Sequence, residues 1–346
     1  MPYLSIVLTA RNDDYGGDFN SRLQNFLSRL SFLLEKYQVP SELIIVNYNP
    51  IPDKPGLKEV IEFPENTEYL TIRIITVPPE VHQSLYAPEI RKTVPLYEFI
   101  AKNAGIRRAQ GEYILSTNAD IIFDEKIIRY IAERRLTPGY YYRADRCDYI
   151  GFEQTNKDTD YNEYINRLKK HTFIVSLKGN KYKFAQPALG FDLQLWKARI
   201  FNRFKLEFDL FGARHAQLFN KLNLYINNDN AEFIYHTNNC GDFMLMHRNH
   251  WFELKGYPEN TYISTHTDAL FVVTAGVSGI KEKVFNSPIF HQEHERRYGW
   301  QAIENDEMFQ KVYRNFENHA QEMIRTGKPI IFNKEDWGLR QLTIVN

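Results

Sequence analysis

An α/β architecture with a mostly parallel central sheet follows from three features of residues 1–125. Short apolar runs rich in β-branched residues recur at Leu4–Ala10, Glu42–Asn47, Leu70–Val77 and Glu112–Ser116, as buried strands require. Stretches with apolar residues at helical spacing separate them. Strands that alternate with helices pair in parallel and are covered on both faces.

The elements can be read in order. Leu4–Ala10 is the first strand. Phe19–Tyr37 carries Leu23, Phe26, Leu27, Leu30, Leu33 and Leu34 on one side and is predicted helical. Glu42–Asn47 and Leu70–Val77 are the second and third strands. Pro95–Ala109 is predicted as a helix with Leu96, Phe99, Ile100, Asn103 and Ile106 on one side, and Glu112–Ser116 as the fourth strand. Asp124–Arg135 is a helix with Asp124 as its N-cap. Further along, Tyr140–Tyr142 reads as a strand, and Tyr161–His171 and Leu193–Phe204 as helices. Residues 178–190 and 223–232 are polar and turn-rich. His247–Lys255 and Asp268–Ala275 read as helices, Lys281–Phe285 as a strand and Ala302–Thr326 as a long charged outer helix. With no repeat or flexible linker, one compact unit is expected. It is divided into a nucleotide-binding half at 1–135, an acceptor and catalytic half at 136–300 and a helical extension at 301–346.

Composition narrows the function. Lys plus Arg and Asp plus Glu each number 43, so the formal net charge is zero. That balance argues against a nucleic-acid binder, which needs a basic surplus, and against a polybasic membrane anchor. The two cysteines, Cys147 and Cys240, exclude a disulfide framework and a CxxC zinc pattern, and suggest a reducing compartment. The N-terminus enters an apolar strand directly, without a basic leader. No apolar run approaches the ~20 residues that cross a bilayer. A cytoplasmic protein is expected. Tyr and Phe number 22 and 24; aromatics form sugar or base platforms but more often fill cores.

In parallel sheets ligands bind beyond the carboxyl ends of the strands, which directs attention to Thr9–Gly17, Asn47–Asp53 and Thr117–Asp120. Arg11–Asp18 offers acids, an arginine and two glycines that let a backbone approach a ligand; it is equally a polar loop with Asp18 capping the next helix. Ser116–Asp120 places a carboxylate where it can hold a divalent metal against a diphosphate, or form a turn or a cap. In His291-Gln-Glu-His294 both imidazoles reach one metal if the segment is helical, and only one if it is extended; a surface pair is the more common explanation, and HExxH is absent. Asp242 follows Gly241, which suggests close approach to a ligand. Trp251 fits a core better than a platform. Asp268 sits at a helix N-terminus, where the dipole stabilises its carboxylate. It is either a helix cap or a modest base, adequate for an alcohol deprotonated late.

The run from Asn103 to Asp120, NAGIRRAQGEYILSTNAD, resembles the stretch of glycosyltransferase family 2 that ends in a D-x-D metal motif. Leu4–Asn12 is similar to the family's first strand and nucleotide loop. His236–Asp268, with GDFMLM, Trp251, LKGYPE and HTD, resembles a galactosyltransferase C-terminal region, and IFHQEHERRYGW its late histidine segment. The resemblance spans roughly residues 3–300 and implies a GT-A fold with a smaller C-terminal acceptor-side region. It places Thr9, Arg11, Asn12, Asn47, Asn103, Arg107 and Asn118 on the side of a nucleoside-diphosphate sugar. Asn47–Asn49 replace the acidic loop of the family. Asp120 matches the last acid of D-x-D and Asn118 replaces the first, with His291 or His294 as a further ligand of Mn2+ or Mg2+. Asp242 falls on the acceptor side and Asp268 matches the general base. Tyr142–Arg146 is a charged cluster that would clamp donor phosphates or pair internally.

The expected activity is metal-assisted, inverting transfer of a sugar to a saccharide or glycoconjugate hydroxyl in polysaccharide or glycoconjugate synthesis, with Trp251 and Trp300 as ring-stacking candidates. Any membrane contact would be peripheral, through a lipid-linked acceptor. The alternatives are a nucleotidyltransferase, which the lack of a glycine-rich basic loop after the first strand disfavours, and a non-catalytic sugar- or nucleotide-binding protein with a degenerate metal motif.

Overall fold

In a computed structural model of the chain, the described residues are 1–88, 94–150, 160–184, 190–214, 234–260, 264–294 and 307–341. β1 (Leu4–Ala10) is buried along its whole length. It is followed by α1 (Phe19–Lys36), β2 (Ser41–Tyr48), α2 (Leu57–Val60), β3 (Leu70–Val77), α3 (Pro79–Leu85) and α4 (Glu98–Arg107). Then come β4 (Tyr113–Thr117), β5 (Ile121–Phe123), α5 (Glu125–Ala132), β6 (Tyr140–Arg143), β7 (Arg146–Tyr149) and α6 (Tyr161–His171). β8 (Thr172–Leu177), β9 (Asn180–Lys183), α7 (Phe191–Arg214), β10 (Phe243–His247) and α8 (Arg248–Glu253) follow. The chain closes with α9 (Thr267–Val277), β11 (Lys281–Val284), β12 (Ile289–Gln292) and α10 (Glu307–Thr326).

Among the described residues the central sheet has seven strands in the order β11-β6-β10-β4-β1-β2-β3, of which only β10 runs against the others. Helices cover both faces. Leu4, Ile6 and Leu8 of β1 face the apolar side of α1. Val7 faces the opposite layer, with Ile44 and Val46 of β2, Ala101 and Ala104 of α4, and residues of α9 and α10. The period-two alternation of a strand thus feeds two cores. This mostly parallel sheet flanked by helices is the predicted architecture and is consistent with a GT-A layout.

A second sheet, β5-β12-β7-β8-β9, was not expected. It takes strands from both sides of residue 135, and β4 also pairs with β10 across that position. β5, β7 and β12 are three or four residues long and buried throughout. Such runs carry no periodicity to read. β10 replaces the start of the expected His247–Lys255 helix, which survives as Arg248–Glu253. Of the expected Ala302–Thr326 helix, Glu307–Thr326 is described. The turn-rich stretch 223–232 and Trp300 lie outside the described residues.

Asp124 caps α5 as predicted, accepting from the Lys126 amide. Asp18 precedes α1 but makes no side-chain cap; the Asp14 carboxylate accepts from the Phe19 amide instead. Gly105 lets α4 approach the sheet: a Cβ there would lie 2.5 Å from Val7 Cγ1 and 3.0 Å from Val46 Cγ2. A Cβ on Gly111 would meet the Ser5 backbone nitrogen at 2.6 Å.

Gly105→Ala is therefore expected to destabilise the protein by about 1–3 kcal/mol through overpacking, read as a lower urea midpoint at unchanged slope. An unshifted midpoint would mean that α4 is not pressed against β1 and β2. A second prediction concerns His266, which precedes α9 with φ 62° and stacks on Phe316 at 4.9 Å. Burial outweighs nearby Glu317 and lowers its pKa to about 4. The folded value lies below the unfolded one, so this contribution is complete above pH ~6.5 and is lost as pH falls towards 4. His266→Asn, which tolerates a left-handed backbone, should flatten the stability profile across that window by on the order of 2 kcal/mol. Parallel wild-type and variant profiles would contradict it.

Candidate active site

The strand order changes direction between β1 and β4. β1 leads through α1 to β2 on one side, while β4 pairs on the other. A crevice opens at such a switch point, beyond the carboxyl ends. Thr9 and Asn47 are the last residues but one of their strands at this edge, with Ala10 paired to Asn47. Arg11 donates through Nε to the Asn49 carbonyl at 2.7 Å and pairs with Asp13 at 2.6 Å. The Asn12 amide donates to the Pro55 carbonyl. These four predicted donor-side residues lie together.

Past β4 the chain turns through Asn118 and Asp120 into β5. Pairing of β5 with β12 sets His291 opposite Ile121, and the Gln292 amide donates to the Asp120 carbonyl at 3.0 Å. Two histidines on an extended segment were expected to point apart. His291 is indeed in a strand, but β12 ends at Gln292 and His294 returns to the same carboxylate. His294 Nε2 lies 3.2 Å and His291 Nε2 3.7 Å from Asp120 Oδ2. The Tyr15 ring meets His294 edge-on at 5.3 Å. Arg22 donates to the Tyr15 and Gly17 carbonyls, so the loop after β1 is fixed against the histidine pair.

Charge dominates this corner. Burial would raise the Asp120 carboxyl, yet the two imidazoles hold it well below the usual carboxylate range. Burial and the Arg146 charge oppose protonation of His291, but Asp120 and Asp148 push it up to about 10. Asp148 Oδ1 lies 3.0 Å and Glu293 Oε2 3.5 Å from its Nδ1. Asp120, His291 and His294 offer three ligand atoms within 4.8 Å of one another, and Asp120 Oδ1 is buried without a hydrogen-bond partner. One carboxylate oxygen and two imidazole nitrogens, with a carboxylate oxygen left unpaired, fit a divalent transition metal. Asp148 stands behind His291, where such ligands find an outer-shell carboxylate, although Asp148 Oδ1 and His291 Nδ1 approach at 3.0 Å without a hydrogen-bonding geometry.

Asp242 joins the same edge. Phe243 pairs with Thr117 at the end of β4. Asp242 Oδ1 accepts from the Asn118 amide at 2.8 Å, and Oδ2 pairs with Arg146 at 2.7 Å. Both oxygens are engaged. Arg146 also pairs with Asp148 at 2.8 Å; burial opposes its charge, and the two carboxylates outweigh it and raise its pKa.

Asp268 reaches this edge from the first turn of α9. Its Oδ2 accepts from the Gly241 amide at 2.6 Å and its Oδ1 from the Ala269 amide at 2.9 Å. Lys102, fully buried, donates to the Gly241 carbonyl at 2.8 Å. Gly241 is thus held at both of its backbone polar atoms, on the two peptide units that flank its Cα. Burial raises the Asp268 pKa, against hydrogen bonds from Cys240, Gly241 and Ala269. The close approach read into Gly241 is internal: a Cβ there would lie 3.1 Å from Asp268 Oδ2 and 3.3 Å from Phe99 Cζ.

Two predicted donor-side residues are elsewhere. Asn103 is buried within α4, where its amide contacts Tyr257 N, Tyr257 O and Glu259 Oε1 at 2.8 Å each. The Arg107 guanidinium covers the Trp337 ring at 4.9 Å. Their spacing is that of helix packing, not of the crevice. Trp251 is core, stacked on Phe271 and donating to the Ile114 carbonyl. The Tyr142–Arg146 cluster pairs internally. Arg143 is fully buried and donates to the carbonyls of His236, Asn238 and Cys240. Asp145 pairs with Arg199 and His236. Sequence reasoning missed Asp148 and the pairing of Arg146 with Asp242; the signal was the charged alternation Arg146-Cys-Asp148 in an otherwise buried strand.

No family model matches the sequence, and no curated protein matches it. Among solved structures, the crystal structure of S. aureus TarS matches at 10% identity with a TM-score of 0.36. The match covers 84% of this chain and 36% of that one, so the chain spans about a third of its length. Likeness at this level does not define the site, which rests on the geometry above. No helix among the described residues is long and apolar enough to cross a membrane.

The placement of Asn103 is testable. Asn103→Ala strands the Tyr257 amide and weakens the support of Glu259, with an expected loss of about 1–3 kcal/mol. Manganese binding, followed by titration calorimetry, should be unchanged. A variant of normal stability with weakened metal or nucleotide binding would return Asn103 to the ligand side.

Proposed function

We propose that the chain transfers a sugar from a nucleoside-diphosphate donor to a hydroxyl of a saccharide or glycoconjugate acceptor, with inversion and with the help of a divalent cation. The observation that carries this reading is the convergence of Asp120, His291 and His294 on the carboxyl edge of the sheet, with Asp242 and Asp268 linked to the same edge. Asp120, His291 and His294 would hold Mn2+ or Mg2+. The imidazoles favour manganese at least as well as magnesium. When bound, such a cation neutralises the charge that develops on a departing diphosphate.

Every other role falls to the chain itself. Thr9, Arg11, Asn12 and Asn47 line the donor side, and Tyr15 closes it over His294. Asp268 accepts the proton of the attacking hydroxyl. Its two amide bonds leave carboxylate lone pairs free, and its raised pKa makes it a better base than the helix dipole alone would allow. Asp242, held between Asn118 and Arg146, spaces the two halves of the site. No covalent nucleophile is needed for a single in-line displacement.

Asp268→Asn is expected to lower turnover by ~10²–10⁴ while donor binding stays intact. Asp120→Ala should abolish the manganese-dependent part of the thermal shift given by nucleoside diphosphates. Both are read against a panel of nucleotide sugars, with release of free diphosphate as the signal. Near-normal turnover in Asp268→Asn removes the base from the account. Pyrophosphate exchange would instead indicate a nucleotidyltransferase, and a ligand shift without turnover a binding protein.

A further inference from the structure

Helix α7 is apolar on two opposite faces. One packs inward through Phe191, Leu195 and Ala198, with Asn202 bonded to Asn180, Tyr182 and the Lys178 carbonyl. The other carries Leu193, Trp196, Ile200, Phe201, Phe204 and Phe208, all exposed, from 37% at Ile200 to 73% at Phe204. Their spacing of three and four places them in one stripe, roughly 22 Å long at 1.5 Å per residue. Exposed apolar surface of this extent marks an interaction site.

The composition of the stripe selects the occupant. Arg203 and Lys205 flank it on opposite sides and Lys197 lies within it, while the acids among the described side chains are Glu207 within it and Asp192 at its margin, the latter paired with Lys169. Protein interfaces are depleted in lysine at their cores. At a lipid surface a lysine inside an apolar stripe lays its stem among the acyl chains and its ammonium among the head groups. Trp and Phe on one side with Lys and Arg at the margins is the pattern of a helix lying in the plane of a membrane. We propose that α7 docks this chain on an anionic lipid surface. The helix lies on the bilayer rather than through it. Its inward face is fixed by Arg199, which grips Asp145 through Nε and Nη2 at 2.9 and 2.6 Å. Asp145 directly precedes Arg146, so docking would set the orientation of the strand that carries Arg146 and Asp148.

The proposal does not rest on sugar transfer, and its test needs no substrate. The intact protein is sedimented with vesicles of phosphatidylcholine, and of phosphatidylcholine with phosphatidylglycerol. Binding is expected on the anionic vesicles, weakening as salt rises, with a blue shift of Trp196 fluorescence that Trp196→Phe removes. Phe204→Glu combined with Phe208→Glu should weaken binding at least tenfold. A cooperative urea transition with an unchanged slope shows that this variant is folded. Absence of binding by the wild type, or equal binding by the variant, overturns the proposal. So does a dimer in the free protein that the variant dissolves, because the stripe would then seat a second copy.

Discussion

A carboxylate held out of water needs charge or hydrogen-bond donors beside it, and Asp120 finds two imidazoles there, His291 from a short strand and His294 from the turn just past its end. Burial alone would drive this acid towards its neutral form. The β5–β12 pairing, with His291 opposite Ile121, prevents it. The rest of the site is arranged around this pair: Asp148 behind His291, Arg146 between Asp148 and Asp242, and the loop after β1 pressed on His294 through Tyr15.

Asn118 fits the same electrostatics. A carboxylate at that position would lie against the carboxylate of Asp242, and two like charges at hydrogen-bond distance disfavour each other. The amide turns the contact into a donor–acceptor pair at 2.8 Å. The amide at this position gains a bond that ties the β4 turn to the start of β10. In the proposed reading the further metal ligands would be the imidazoles of His291 and His294. Arg146 completes the link by setting its charge between two buried acids, Asp148 and Asp242, an arrangement that is costly to break at either partner.

Much of this was legible in the residues. The apolar runs at Leu4–Ala10 and Leu70–Val77 and the stripe of α1 carry clear periods, and their positions hold to within a residue or so. Asp120, Asp242 and Asp268 stood out as acids at element ends. The second sheet was not legible: β5, β7 and β12 are too short and too uniformly buried to show alternation. Nor was the meeting of His291 and His294, which depends on where one strand stops. Asn103 and Arg107 misled for a physical reason. Gly105 and Gly111 allow close packing of α4 and of the turn after it, so a motif that looks like a binding signature serves the core. Arg146 and Asp148 act through partners distant in sequence.

The most direct measurement is the anomalous scattering of crystals grown with manganese. The account predicts a single strong peak within bonding distance of an Asp120 carboxylate oxygen and the Nε2 atoms of His291 and His294, and its loss in Asp120→Ala. A peak at another cluster, or an empty corner with the imidazoles still paired to Asp120, would contradict it.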